Sequence, residues 1–320
     1  MRFQVTSTGI YIPPTIETAS ELSERVGRSA RWIVRRTGVE ERRISTLPMD
    51  QMGAIAAQDA LGDGELPDLI LNASLTPMQL IPDSSVFIQK ALGFEGIPSF
   101  SVHATCLSFL VALQTAGAMI AAGLHRRVLI VSAEQGSVCR DFDHPESAVL
   151  IGDGAAAVIV ESTPDGHQSE MLEHLFRTFP QGSHLAELRG CGTRAHPNDP
   201  ETVVQDNLFR MHGPGIYKMA YRKVASLVEA LLSDASLTID DIDLVVPHQA
   251  SGPALDALQR MGFSPDRVIN IVDQVGNCIA ASLPMALHTA LSTGRLNRGD
   301  RILLLGTGAG LSVGGTILRW

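Results

Sequence analysis

Apolar runs of strand length, separated by stretches of helical pattern, recur along this chain. They lie at residues 67–76, 127–133, 152–161, 242–247, 267–272 and 300–306. Most are continuously apolar rather than alternating, as expected of strands covered on both faces. Helical patterns fall between them at 50–61, 84–92, 106–123, 214–233, 252–261 and 278–294. This alternation predicts an α/β sandwich with largely parallel sheets. With 320 residues, the chain has room for two domains or one large α/β unit. Residues 177–213 are rich in Gly, His, Pro and polar side chains and read as an irregular insertion. Such segments in compact enzymes are often functional.

The two halves echo each other. Cys106 opens the helical stretch LSFLVALQTAGAMIAAG, followed by Arg126, Arg127 and the run VLIVSA. Cys278 opens IAASLPMALHTALSTG, followed by Arg298, Gly299, Asp300, Arg301 and the run ILLLG. GDGAAAVIV at 152–160 likewise resembles GTGAGLSVGGTIL at 306–318. The echo suggests two similar halves, residues 1–165 and 166–320, in a pseudo-twofold relation. An active site is then expected where equivalent helix mouths meet. No flexible linker separates the halves, so one rigid body is expected.

Composition narrows the function classes. Hydrophobic residues make up 45% and charged residues 18%, which excludes wholesale disorder. The net charge of −9 disfavours nucleic-acid binding, which needs a basic face. Arginines 25, 28, 31, 35, 36, 42 and 43 nevertheless cluster around Trp32. They form either a solvated helix face or a local anion site. Cys106, Cys139, Cys191 and Cys278 lack metal-ligand spacing, so no zinc site is expected. The opening MRFQVTSTGIYIPP reads as a strand and turn, without a signal-peptide pattern. The most apolar helix carries Ser108, Gln114, Thr115 and Gly117 and falls short of a membrane span. A reducing cytoplasm with free thiols is the expected setting.

Three polar residues sit at strand-to-helix junctions: Cys106, His248 in LVVPHQAS and Asn277 in DQVGNCIAAS. A thiol at a helix mouth gains thiolate character from free N–H groups and the helix dipole. Cys106 is thus a candidate nucleophile, the alternative being a small buried hydrophobe. His248 lies at the usual site edge of an α/β sheet, although a structural histidine would fit there too. Asn277 could cap the following helix or donate its amide N–H to an anionic oxygen. The glycine-rich turn at 306–310 could present backbone N–H groups as an oxyanion site. No phosphate-loop or dinucleotide fingerprint is present.

Seven segments in order then resemble the β-ketoacyl-acyl-carrier-protein synthase III family of the thiolase superfamily. They are GIYIPP, WIVRRTGVEERRI at 32–44, the Cys106 segment, GDGAAAVIVE, PHQAS at 247–251, VGNCIAASLPMAL at 275–287 and GDRILLLGTGAGLSVGG. The resemblance implies a duplicated five-layered αβαβα sandwich and a homodimer. It implies that Cys106 accepts an acyl group from a thioester. His248 and Asn277 would hold the enolate of a decarboxylating malonyl unit, and backbone N–H groups of Cys106 and Ala309 the tetrahedral oxyanion. Trp32 and Arg36 match positions that hold the nucleotide end of coenzyme A, and Lys218 a basic residue near the pantetheine entrance. Ile81 matches a position that the partner subunit places at the end of the acyl tunnel. No cofactor would be bound permanently: coenzyme A or phosphopantetheine thioesters, including acyl-carrier-protein and malonyl thioesters, would be substrates.

The chain departs from the family pattern in several places. Ile81 stands where an aromatic is usual, and Gly252 and Pro253 where a carrier-binding basic residue is usual. Pro145 stands near a usual adenine-sandwiching arginine, and HATCLSF surrounds the nucleophile. These departures imply a specialised relative, in secondary metabolism or an atypical fatty-acid pathway. The competing activities are acyl transfer to an oxygen or nitrogen acceptor and non-decarboxylative condensation of two thioesters. A catalytically silent partner subunit is a further alternative, against which the intact Cys, His and Asn argue.

Overall fold

A computed structural model describes residues 1–320. Two sheets organise it. The first runs in the order Phe3–Tyr11, Asp153–Ser162, Arg127–Gln135, Leu69–Asn72, Ser99–Ser101. Its successive pairings are antiparallel, antiparallel, parallel and parallel. The second runs Glu170–Thr178, Ser312–Arg319, Arg301–Gly308, Leu244–Pro247. Its pairings are antiparallel, antiparallel and parallel, and Val268 adds a parallel bridge to Val245 on the far side. The same succession in both sheets is the structural form of the echo in the sequence. The suggested boundary at 165/166 falls between Asp153–Ser162 and Glu170–Thr178.

The layers follow from side-chain alternation. Val128 and Ile130 belong to the central core, with the helix Ser108–Ala121 and the helix Ser282–Ser292. Leu129 and Val131 face the other way, onto the helices Met49–Leu61 and Ser84–Leu92. In the second sheet Ile302 and Leu304 face the centre. Leu303 and Leu305 face outward, with the helices Gly213–Asp234 and Gly252–Gln259. Both sheets are therefore covered on both faces, giving five alternating layers. That is why the strands read as unbroken apolar runs. Each such Leu, Ile or Val is fully or almost fully buried, which contributes about 1.5–3 kcal/mol per side chain.

Two expectations change, and one strand is new. The sheets are mixed rather than largely parallel, because in each half the last strand turns back antiparallel and a further antiparallel strand closes the edge. Residues 267–272 do not form a strand: Pro265–Arg267 is a 3-10 turn, Val272–Val275 a short helix, and only Val268 bridges the sheet. The strand Glu170–Thr178 was not legible as one. It pairs on one side only and carries Glu170, Glu173, His174 and Arg177 on a mostly half-exposed surface.

Candidate active site

The nucleophile is presented by a tight elbow. Thr105 takes a left-handed backbone (φ 53°), and the helix Ser108–Ala121 starts two residues after Cys106. Ser108, fully buried, ties the elbow together: its Oγ accepts from the Ala104 N–H at 3.0 Å and donates to the Thr105 carbonyl at 2.7 Å. The end of the strand Arg301–Gly308 passes directly behind. A Cβ on Gly306 would lie 2.8 Å from both His248 Cβ and Leu107 Cδ2. Only a glycine lets the elbow and the histidine loop close on this strand.

His248 follows the strand Leu244–Pro247, and its N–H donates to the Leu305 carbonyl at 2.8 Å. The buried Gln249 locks that loop, donating to the Pro247 and Ile269 carbonyls and accepting from the Ile271 N–H. Asn277 is pinned by its backbone. Its N–H donates to the Leu150 carbonyl at 2.9 Å, and its own carbonyl accepts from the Gly152 N–H at 3.1 Å. Its side-chain Oδ1 accepts from the Ile279 N–H at 2.8 Å, while Nδ2 donates to the Ala250 carbonyl at 3.2 Å. Asn277 does not cap a helix: its Oδ1 closes a local turn onto the left-handed Ile279, which fixes the amide and leaves Nδ2 with one spare N–H.

Electrostatics qualify the helix-mouth argument. Burial pushes the Cys106 thiol up to about 12, and the charge of Glu134 adds to this. The backbone N–H groups of Ala309 and of Cys106 itself pull the other way and do not prevail. Burial likewise brings His248 down to about 4, with Nδ1 lacking a protein partner. Both shifts favour a neutral thiol and a neutral imidazole in the cavity over a preformed thiolate.

One cavity of about 1370 Å³ brings together Cys106, His248, Asn277, Ala309 and Arg36. Leu185, Leu188, Cys191 and His196 from the irregular insertion also line it, as expected of a functional segment. Trp32, Lys218 and Ile81 do not line it. Trp32 lies under the Arg28 guanidinium, 5.7 Å from its ring centre. Ile81 is 85% exposed on the loop before the helix Ser84–Leu92. The arginine cluster is not one anion site: Arg36 pairs with Glu146, Arg43 with Glu41, and Arg25 lies over Phe142. Arg42 is fully buried.

Sequence reasoning missed Glu134. It ends the run VLIVSA and is completely buried. It accepts from the Leu75 N–H at 2.5 Å, the Thr76 N–H at 3.0 Å and the Thr76 hydroxyl at 2.6 Å. The Ala280 N–H faces it as well. Glu134 therefore links the 75–76 loop in the cavity wall to the turn that follows Asn277. A charged residue directly after the apolar run VLIVSA, inside the strand Arg127–Gln135, was the available signal.

The five layers and a cysteine, histidine and asparagine around one cavity define a condensing enzyme of the thiolase fold. The chain belongs to the 3-oxoacyl-acyl-carrier-protein synthase III family. That family's profile matches residues 100–178, and the profile of its C-terminal part matches residues 232–320. The β-ketoacyl-acyl-carrier-protein synthase III of Rhizobium johnstonii is 34% identical over 328 residues, covering 100% of both chains. The crystal structure of the Aquifex aeolicus enzyme superposes with a TM-score of 0.90 at 31% identity, covering 99% of this chain and 100% of that one. The priming β-ketosynthase of a polyketide biosynthetic pathway gives 0.90 at 27%, covering 99% and 96%.

Proposed function

We propose that Cys106 carries the acyl group and that His248 and Asn277 stabilise the enolate of a decarboxylating malonyl thioester. The observation that carries this reading is the Asn277 amide, fixed through Oδ1 and one Nδ2 hydrogen so that the second Nδ2 hydrogen is left to donate. Cys106 Sγ attacks the donor carbonyl, and its proton leaves with the departing thiol. Loss of carbon dioxide from the malonyl unit then leaves an enolate, held by the neutral His248 and the Asn277 amide. Two neutral donors on one oxygen suit such a developing charge. The enolate carbon attacks the acyl-Cys carbonyl. The oxyanion sits against the Cys106 and Ala309 N–H groups, and collapse releases the β-ketoacyl product and the Cys106 thiolate, which takes a proton from solvent to restore the thiol.

Acyl transfer to a hydroxyl or amine has less need of the Asn277 donor, so the site favours condensation. Intact-protein mass spectrometry with acyl thioesters tests the assignment. Cys106→Ala should give no acyl-enzyme, and Asn277→Ala should acylate without forming the carbon–carbon product. Labelling of the Cys106→Ala protein, or an unchanged product yield in Asn277→Ala, would overturn the respective role. The names of the relatives point to the ordinary synthase III reaction. Ile81, Pro145, Gly252 and Pro253 support a specialised pathway, and the acyl group that labels Cys106 decides between them.

We further infer that the working form is a homodimer. Met78, Leu80, Ile81, Val86 and Phe100 are large exposed hydrophobics, and Ser99–Ser101 pairs on one side only. An apolar strip beside an open sheet edge is suited to burial against a second copy. Ile81→Asp should shift the protein to monomer in sedimentation, and an unchanged dimer would count against this interface. The four free cysteines suit a reducing compartment, and no helix is long and apolar enough to cross a membrane.

A further inference from the structure

The turn that carries Asn277 sits on the first sheet around a buried carboxyl. Glu134, in the strand Arg127–Gln135, faces the same side of the sheet as its antiparallel neighbour Gly154. A Cβ on Gly154 would lie 2.8 Å from Met285 Sδ and 3.4 Å from Cys278 Sγ. One on Gly136 would lie 2.8 Å from Ile279 Cδ1. Two bare glycines thus let residues 278–285 close on the sheet, with Glu134 beside both. At that contact the turn offers two successive N–H groups. That of Ile279 donates to Asn277 Oδ1 at 2.8 Å, and that of Ala280 faces the Glu134 carboxyl. On its other side Glu134 accepts from the Leu75 N–H, the Thr76 N–H and the Thr76 hydroxyl.

Glu134 is fully buried and does not itself line the cavity. Burying a carboxyl is costly, and an apolar side chain would fill the space without that cost. What a carboxyl supplies there is acceptor capacity on two oxygens for four donors. We propose that Glu134 is a positioning residue for the condensation step: through the Ala280 N–H it holds the turn that aims the spare Nδ2 hydrogen of Asn277 at the enolate oxygen. This rests on the condensation reading above. Acylation makes no demand on that turn, because the attacking thiol and the Cys106 and Ala309 N–H groups lie on other elements. The charge of Glu134 also disfavours the Cys106 thiolate, so its loss gives no reason for slower acylation.

The test measures the two half-reactions separately in single turnovers. The first is acylation of Cys106 by the acyl-coenzyme A that labels it. The second is consumption of the preformed acyl-enzyme by malonyl-acyl-carrier-protein. Glu134→Gln keeps the volume but has one acceptor oxygen and turns N–H groups toward donors. Its acylation should stay within about threefold of wild type. Its condensation should slow roughly ten- to hundredfold in maximal rate, with little change in the KM for the malonyl thioester. Should the amide variant not fold, Glu134→Asp, which withdraws the carboxyl from Ala280, should show the same split. Thr76→Val removes a donor on the far side of Glu134 and should leave condensation near wild type. Equal slowing of both half-reactions, or unchanged condensation in Glu134→Gln, would overturn the proposal. So would a loss in Thr76→Val as large as in Glu134→Gln, which would route the effect through the cavity wall. Wild-type condensation in Asn277→Ala would instead sink the condensation reading, and this proposal with it.

Discussion

Gly308 packs its bare Cα against Thr105: a methyl group there would meet Thr105 Oγ1 at 2.4 Å. The next nearest atoms, the Ala104 carbonyl oxygen at 3.4 Å and Leu107 Cγ at 3.6 Å, are ordinary contacts. The clash is therefore specific to one hydroxyl, on a residue already held at φ 53°. Gly308→Ala should push the elbow away from Ala309. Overpacking of this kind costs about 1–3 kcal/mol, and Cys106 acylation should slow by roughly tenfold or more. Thr105→Gly removes both the hydroxyl and the strain, so the double variant should recover most of the rate. Wild-type acylation in Gly308→Ala alone would show that the elbow does not depend on this contact.

The neutral Cys106–His248 pair makes a prediction about pH. The thiol lies at about 12 and the imidazole at about 4, so neither changes charge near neutrality. Alkylation of the free enzyme by iodoacetamide needs the thiolate. Its rate at Cys106 should rise steadily with pH through about 10 and show no plateau. Peptide-resolved mass spectrometry separates Cys106 from the exposed Cys191. A plateau with an inflection below about pH 7 would reveal a preformed thiolate–imidazolium pair.

Much of this arrangement was legible in the chain, for identifiable reasons. The strands 127–133 and 300–306 stood out because both their faces are buried, which leaves no polar alternation. Cys106 and His248 stood out because each follows an apolar run and precedes a helix, whereas Asn277 lies between the short helix Val272–Val275 and the 3-10 turn Ile279–Ala281 rather than after a strand. The strand Glu170–Thr178 was hidden because an edge strand with one paired side tolerates charge along its length. Glu146 was hidden because its meaning depends on Arg36, 110 residues away in the chain. The raised thiol was hidden because helix position is local, whereas burial and the charge of Glu134 arise from the assembled halves.

Glu134 gives a prediction about stability. Burial raises its carboxyl from an ordinary 4.5 to about 7, and the Leu75, Thr76 and Ala280 donors only partly offset this. The folded state therefore keeps a proton that the unfolded chain releases between those values. The sign follows: the contribution is fully present below about pH 4.5 and is lost as pH rises to about 7. A shift of this size corresponds to roughly 3 kcal/mol. Glu134→Gln cannot titrate, so the comparison isolates this carboxyl from the other groups. Measured by denaturant unfolding, the stability of wild type relative to Glu134→Gln should fall by that order across the window. The same difference at both ends would mean that Glu134 is ionised in the folded protein throughout. Its four donors would then outweigh its burial, and Cys106 would face a full negative charge at every pH in the window.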